Sequence, residues 1–334
     1  MENEERARYR PKDFTALSHR ANTLHYIERS NINFSEKSLR RSIDPTYLPG
    51  FHFCKEMELF DPLLELFPGA SWATLGDGKG GKEALYLQDH GAKVLPTDSD
   101  DSILRRAQSE GVFQTVKAEN AESLSFGDDS FDFTFCKETL HHLPRPFAAI
   151  YEMLRVSRKG FAFIEPADRL HPYSLQWHSI LENHFRKLEQ NPNVSPYDLE
   201  TYESAGNYAY CFNIREIEKL ALGAGLRWFA YKGVHTQNLS ELKNSVHENT
   251  KASQEELAFQ EYCKVQLERE MQSAQGTLPW GSYAFLVFTI EVLPEGLVEM
   301  LTKKGWKVCL LPQNPYLHVN MERAAKSAQK LVRQ

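Results

Sequence analysis

The chain has 334 residues, enough for one large domain or two smaller ones; its 41% hydrophobic and 25% charged residues suit a soluble globular protein, and a net charge of −6 gives no global reason to bind nucleic acid. Five cysteines (54, 136, 211, 263 and 309), with no Cys-x-x-Cys pair, argue against a disulfide framework or structural zinc and fit reduced thiols in the cytoplasm. The N-terminus is charged without the apolar core of a secretory signal, and no apolar run approaches the roughly 20 residues of a membrane span.

Residues 1–12 are polar. From Asp13 to Phe67 the pattern is mostly helical, with breaks at Asn31–Asn33 and Asp44–Gly50. Phe60, Leu63, Leu64, Leu66 and Phe67 form an apolar set suited to packing on a sheet. Residues 1–70 are therefore expected to form a helical cap. Strands and helices then alternate, which implies a parallel sheet. Strands are predicted at 72–75, 92–96, 114–118, 131–136 and 160–164, with helices at 82–89, 101–110 and 147–156. This cofactor-side half runs over 71–168.

Residues 169–212 read as an irregular, aromatic-rich insert, with His171, Tyr173, Trp177, Tyr208 and Tyr210 among its members. Asn213-x-x-Glu216 reads as a capping box opening a helix. A strand follows at 227–234, then a polar helical insert at 236–276 and the strongest strand of the chain at 283–292. Together 213–292 complete the sheet. Residues 293–334 are a C-terminal extension with a helix, a strand at 306–311 and a basic terminal helix.

The glycine-rich stretch Gly76-Asp77-Gly78-Lys79-Gly80-Gly81 lies between the first strand and the first helix. Glycines permit positive φ and close ligand approach, and the helix N-terminus offers free N–H groups and a positive dipole end. A nucleotide-bearing cofactor is the guest such a turn favours. Asp98 ends the second strand, where a carboxylate can accept hydrogen bonds from both hydroxyls of a ribose. Asn120 and Ala121 follow the third strand and could face an adenine. The fourth strand runs into Leu140-His141-His142-Leu143-Pro144, and histidines at a strand end attract a general-base reading. Adjacent histidines point apart and His-x-x-x-His is absent, so no metal site is expected.

Five pieces occur in order: Thr74–Gly80, Thr97-Asp98-Ser99, Asn120-Ala121-Glu122, Asp129–Phe133 and Leu140–Pro144. Their order and spacing resemble class I S-adenosylmethionine-dependent methyltransferases of the small-molecule branch. The resemblance implies an α/β fold with a doubly wound, seven-stranded Rossmann-like sheet whose last strand is reversed. It implies S-adenosylmethionine as cofactor, with Gly76, Asp77, Gly78 and Gly80 around its methionine and ribose portions. Asp98, beside Ser99, would hold the ribose hydroxyls. Asn120 and Ala121 would lie by the adenine, and Cys136 and Lys137 near the methionine end. Thr74 departs from the pattern, because an acid that meets the cofactor's amino group usually stands there.

The activity expected is transfer of a methyl group to an oxygen, or alternatively a nitrogen, of a small-molecule acceptor, with a sugar or glycosylated metabolite favoured. His142, His141 or His171 would take the proton. No nucleic-acid or membrane partner is expected, and a homodimer stays open. An NAD(P)-dependent oxidoreductase would share the glycine turn and Asp98, although none of the fourteen tyrosines has a lysine four residues later. A catalytically inactive methyltransferase-like partner protein is the third reading.

Overall fold

A computed structural model describes residues 16–20, 24, 35–168, 208–234, 258, 261, 265 and 281–316. The chain enters through three short helices, α1 (Glu36–Ser42), α2 (Leu48–Met57) and α3 (Asp61–Leu66), with a 3-10 turn at Glu58–Phe60. The alternating segment follows as β1 (Ser71–Leu75), α4 (Lys82–Asp89), β2 (Lys93–Asp98), α5 (Ser102–Ser109), β3 (Lys117–Ala118) and β4 (Phe131–Lys137). After a 3-10 turn at Leu140–His142 come α6 (Pro146–Val156) and β5 (Ser157–Pro166). The remaining elements are α7 (Ile214–Gly223), β6 (Trp228–Val234), β7 (Ser282–Phe288), α8 (Leu297–Lys303) and β8 (Lys307–Leu310).

One eight-stranded sheet has the order β3-β2-β1-β4-β5-β7-β6-β8. Strands β1 to β5 pair in parallel, and β7 runs antiparallel between β5 and β6. The doubly wound, Rossmann-like expectation is met, with eight strands instead of seven. The difference comes from β8, which the sequence places in an extension and which pairs antiparallel with β6 from Trp228↔Leu310 to Tyr231↔Lys307.

The period-2 alternation of the strands builds two cores. Trp72, Phe133, Phe135, Ile164, Leu286 and Phe288 face one side, where Phe53 and Phe60 from the N-terminal helices cover them. Leu75, Cys136, Phe161, Phe163, Phe285 and Val287 face the other, against Ile150 and Met153 of α6 and Ile217 and Leu220 of α7. Helices on both faces explain why β4 is apolar almost throughout. Each buried phenylalanine contributes about 1.5–3 kcal/mol relative to an exposed one.

Two predicted strands shorten. The third forms only at Lys117–Ala118, opposite Thr97 and Asp98. Pro96 thus has no partner on that side, which suits a residue without an N–H. The strand predicted at 283–292 stops at Phe288, opposite Gly160 on β5 and Trp228 on β6, where both neighbours' pairing ends. The capping box is present: Glu216 N–H donates to Asn213 Oδ1 at 3.0 Å and Asn213 N–H to Glu216 Oε2 at 3.1 Å. The expected break at 31–33, the insert over 169–207, the helix over 236–276 save isolated residues, and the terminal helix lie outside the described residues.

Candidate functional site

The C-terminal ends of β1, β2 and β4 carry the glycine turn, Asp98 and the segment Lys137–His142. Gly76 adopts φ +74°, and a Cβ there would lie 2.2 Å from Thr139 Cγ2. Only glycine allows the turn to pass so close to the chain leaving β4. Thr139 seals the approach by donating its hydroxyl to Gly76 O at 3.2 Å. A Cβ on Gly78 would lie 2.6 Å from Asp98 Oδ2. Asp98 accepts the Asp100 N–H at 2.9 Å, and burial raises its pKa. Ser99, exposed, has its hydroxyl 3.4 Å from Asp98 Oδ1.

Asp77 is used differently from the glycines around it. Its carboxyl is 3% exposed and accepts the Thr74 hydroxyl at 2.9 Å, the Ala84 N–H at 2.9 Å and the Glu83 N–H at 3.4 Å. Burial and then the neighbouring Glu83 carboxylate push its pKa well up. Two of the N–H groups that helix α4 was expected to leave free are therefore capped by Asp77. Thr74 is the donor that ties this cap to β1.

Lys137 Nζ pairs with Glu56 Oε2 from α2 at 3.1 Å, both side chains being at most 9% exposed. Burial opposes the charge on Lys137, but Glu56, Glu138 and Glu83 outweigh it and raise the pKa. The other oxygen of Glu56 lies 3.8 Å from His52 Nε2. Cys136 is fully buried in the core on the α6 side, and burial pushes its thiol well up. Its side chain packs in that core, with the thiol against Thr139 of the turn that leaves β4. At the β3 edge Asn120 is exposed and accepts the Glu122 N–H at 2.9 Å, an ordinary turn contact; Ala121 is buried.

The two histidines differ. His141 is 7% exposed, and its Nδ1 lies 2.6 Å from Glu165 Oε2. Glu165, fully buried at the end of β5, also accepts the backbone N–H groups of Thr139, Leu140 and His141 at 2.8, 2.7 and 3.3 Å. A carboxylate surrounded by donors makes Nδ1 the protonated ring nitrogen. His142 is half-buried and its ring centroid sits 3.8 Å from that of His141. Tyr210 N–H donates to His141 O at 3.0 Å, bringing the end of the aromatic insert against the same turn. His171 lies outside the described residues.

Glu165, Thr139, Glu138 and Glu56 were not singled out from the sequence. Glu165 was legible as the acid ending a predicted strand, the same signal that marked Asp98. Thr139 shows its importance only through its side-chain contact with Gly76, and Glu138 through its backbone. Glu138 holds φ +52°, a left-handed conformation unusual for a residue with a side chain. Glu122 is likewise central: its side chain accepts the Arg145 N–H at 2.6 Å and Nε at 2.8 Å, and lies 3.1 Å from His19 Nε2 of the leader. Among the described residues no cluster of three or more His, Cys, Asp or Glu could hold a metal.

Residues 74–164 match the family model described as a methyltransferase domain. The strand order, the glycine turn and the acid ending β2 lie within or beside this matched segment, which is a methyltransferase-type domain by that model. Solved structures with a similar fold include an S-adenosylmethionine-dependent methyltransferase from Thermotoga maritima, at 19% identity over 71% of this chain and 89% of that one, with a TM-score of 0.40. Another, from Methanosarcina mazei, has 18% identity over 69% and 98%, with a TM-score of 0.40. A third is the Haemonchus contortus phosphoethanolamine N-methyltransferase 2, crystallised with S-adenosylhomocysteine, at 13% identity over 69% and 52%, with a TM-score of 0.41. A search of the curated proteins finds no match.

Proposed function

We propose that the protein transfers a methyl group from S-adenosylmethionine to an oxygen of a small-molecule acceptor, with a sugar or glycosylated metabolite as the favoured class. The observation that carries the reading is the cradle at Gly78, where a single added carbon would strike the Asp98 carboxylate. That carboxylate would accept the two ribose hydroxyls, the glycine turn would lie along the cofactor's methionine and ribose portions, and Ala121 beside Asn120 would meet the adenine. The bound cofactor supplies an electrophilic methyl on a sulfonium, so the protein's task is mainly alignment.

His142 would take the acceptor's proton as the new bond forms. His141, fixed by Glu165, would act as a positioning residue whose ring supports that of His142. Tyr208 and Tyr210, with ring centroids 6.5 Å apart, support an aromatic wall with polar tips beside the same turn. The leader 1–70 and the insert 169–212 would roof the acceptor; the His19 contact to Glu122 supports this for the leader.

Equilibrium binding of labelled S-adenosylmethionine tests the cofactor assignment. Asp98→Ala removes a charge-assisted acceptor worth about 1.5–3 kcal/mol, so binding should weaken roughly 10- to 100-fold. An unchanged dissociation constant refutes the ribose role. Mass analysis after incubation with a metabolite panel then identifies the acceptor as the compound gaining one methylene unit.

A further inference from the structure

The methionine portion of the donor is a zwitterion, and the residue that usually meets its ammonium is Thr74 here. The strand-end acids are almost all committed elsewhere. Asp77 caps α4 and takes the Thr74 hydroxyl. Glu83 is buried beside Asp77 and Lys82. Glu56 holds Lys137. Glu165 holds the turn at 139–141, and Asp98 is assigned to the ribose.

Glu138 is the exception. It is half-buried, it directly precedes Thr139, which touches Gly76, and one of its oxygens accepts the Ser282 hydroxyl at 3.2 Å. Its second oxygen has no hydrogen-bond partner among the described residues. The left-handed backbone at Glu138 is held by its N–H donating to Ile164 O at 2.9 Å. Such a backbone conformation persists where the surroundings over-determine it.

The cations divide in the same way. Lys137 is paired with Glu56, and Lys82 lies over the Phe53 ring at 4.5 Å and near Glu83. Lys79, between Gly78 and Gly80, is exposed and makes no ion pair among the described residues. Burial and then Lys82 lower the Lys79 pKa, while the Glu138 carboxylate favours the charged form of both Lys79 and Lys137. One unsatisfied anion and one unsatisfied cation thus flank the glycine turn.

We propose that Glu138 and Lys79 form a zwitterion clamp for the amino-acid end of the methyl donor, Glu138 taking the ammonium and Lys79 the carboxylate, in place of the acid absent at Thr74. This rests on the methyl-donor reading above. Binding free energy at that end then depends on two side chains of opposite sign from two different loops.

Calorimetric titration with S-adenosylhomocysteine and with 5′-methylthioadenosine, which lacks the amino-acid end, tests it. Glu138→Gln and Lys79→Gln should each weaken S-adenosylhomocysteine binding about tenfold or more and leave 5′-methylthioadenosine within twofold. Retained binding of the truncated ligand also certifies the fold of each variant, and Lys79→Gln reads the clamp alone should Glu138→Gln not fold. Equal weakening of both ligands, or no weakening of either, overturns the clamp while leaving the donor assignment standing. A wild-type protein that binds neither ligand overturns the donor assignment, and the clamp with it.

Discussion

Replacing Glu165 by alanine should cost the protein much of its stability. The fully buried carboxylate collects four donors: the N–H groups of Thr139, Leu140 and His141 and the Nδ1–H of His141. Each buried donor left unsatisfied costs about 1–3 kcal/mol, but the vacated space admits water to some of them. Removing one side of a buried charged contact typically costs about 3–5 kcal/mol, and that is the loss expected here. Domains of ordinary stability have about 5–15 kcal/mol in all. Glu165→Gln keeps one acceptor oxygen but turns an amide towards a donor, for an expected loss of about 2 kcal/mol. Urea unfolding followed by circular dichroism gives both values. A loss below about 1 kcal/mol in Glu165→Ala would mean that the turn at 139–141 holds itself, and Glu165 would no longer be what fixes His141.

Gly78→Ala should push Asp98 out of place and weaken S-adenosylmethionine binding by about tenfold or more, while the melting temperature moves little because the site is at the rim. His142→Ala should lower turnover by about 10²–10⁴ with the cofactor dissociation constant unchanged; intact turnover on the acceptor found by mass screening would remove His142 from the chemistry. Asp132 gives a pH signature. Burial alone would raise its carboxyl, but Lys159, the Ser71 N–H and hydroxyl, and Arg158 hold it far below the ordinary range. A depressed folded-state pKa contributes stability above the unfolded value of about 4 and loses it as pH falls through the folded one. The stability advantage of wild type over Asp132→Asn, measured by urea unfolding, should therefore be flat near neutrality and shrink below about pH 4.

Periodicity was enough to read the sheet from Ser71 to Pro166, because helices on both faces force apolar strands and amphipathic helices. It was not enough at the far edge. Strand β8 is half-exposed, and nothing local in Lys307–Leu310 reveals that β6 will accept it. The site divides in the same way. Gly76, Gly78 and Asp98 announce themselves through residue type and place in the chain. Asp77 looked like one more member of the cofactor loop, yet Thr74 and the first turn of α4 take its carboxyl. That exchange is tertiary and leaves no local pattern. Cys136 was expected beside the methionine end, but strand alternation turns its side chain into the core. The left-handed backbone at Glu138 is set by contacts to Ile164 and Ser282, residues far away in sequence.

Residues 59–61 and 304–306, far apart in the chain, meet in the fold. The Trp306 indole Nε1–H donates to Leu59 O at 3.0 Å, its ring meets Phe60 with centroids 5.5 Å apart, and Lys304 Nζ lies 3.0 Å from Asp61 Oδ2. The Trp306–Leu59 bond joins residues separated by 247 positions. A closure of that span is entropically slow until the intervening strands have assembled, so this clasp belongs to the native side of the folding barrier. Its role is then kinetic: weakening it would hasten unfolding and scarcely alter the rate of folding. The turn that delivers the chain into β8 thus belongs to the latch that sets how long the folded molecule lasts.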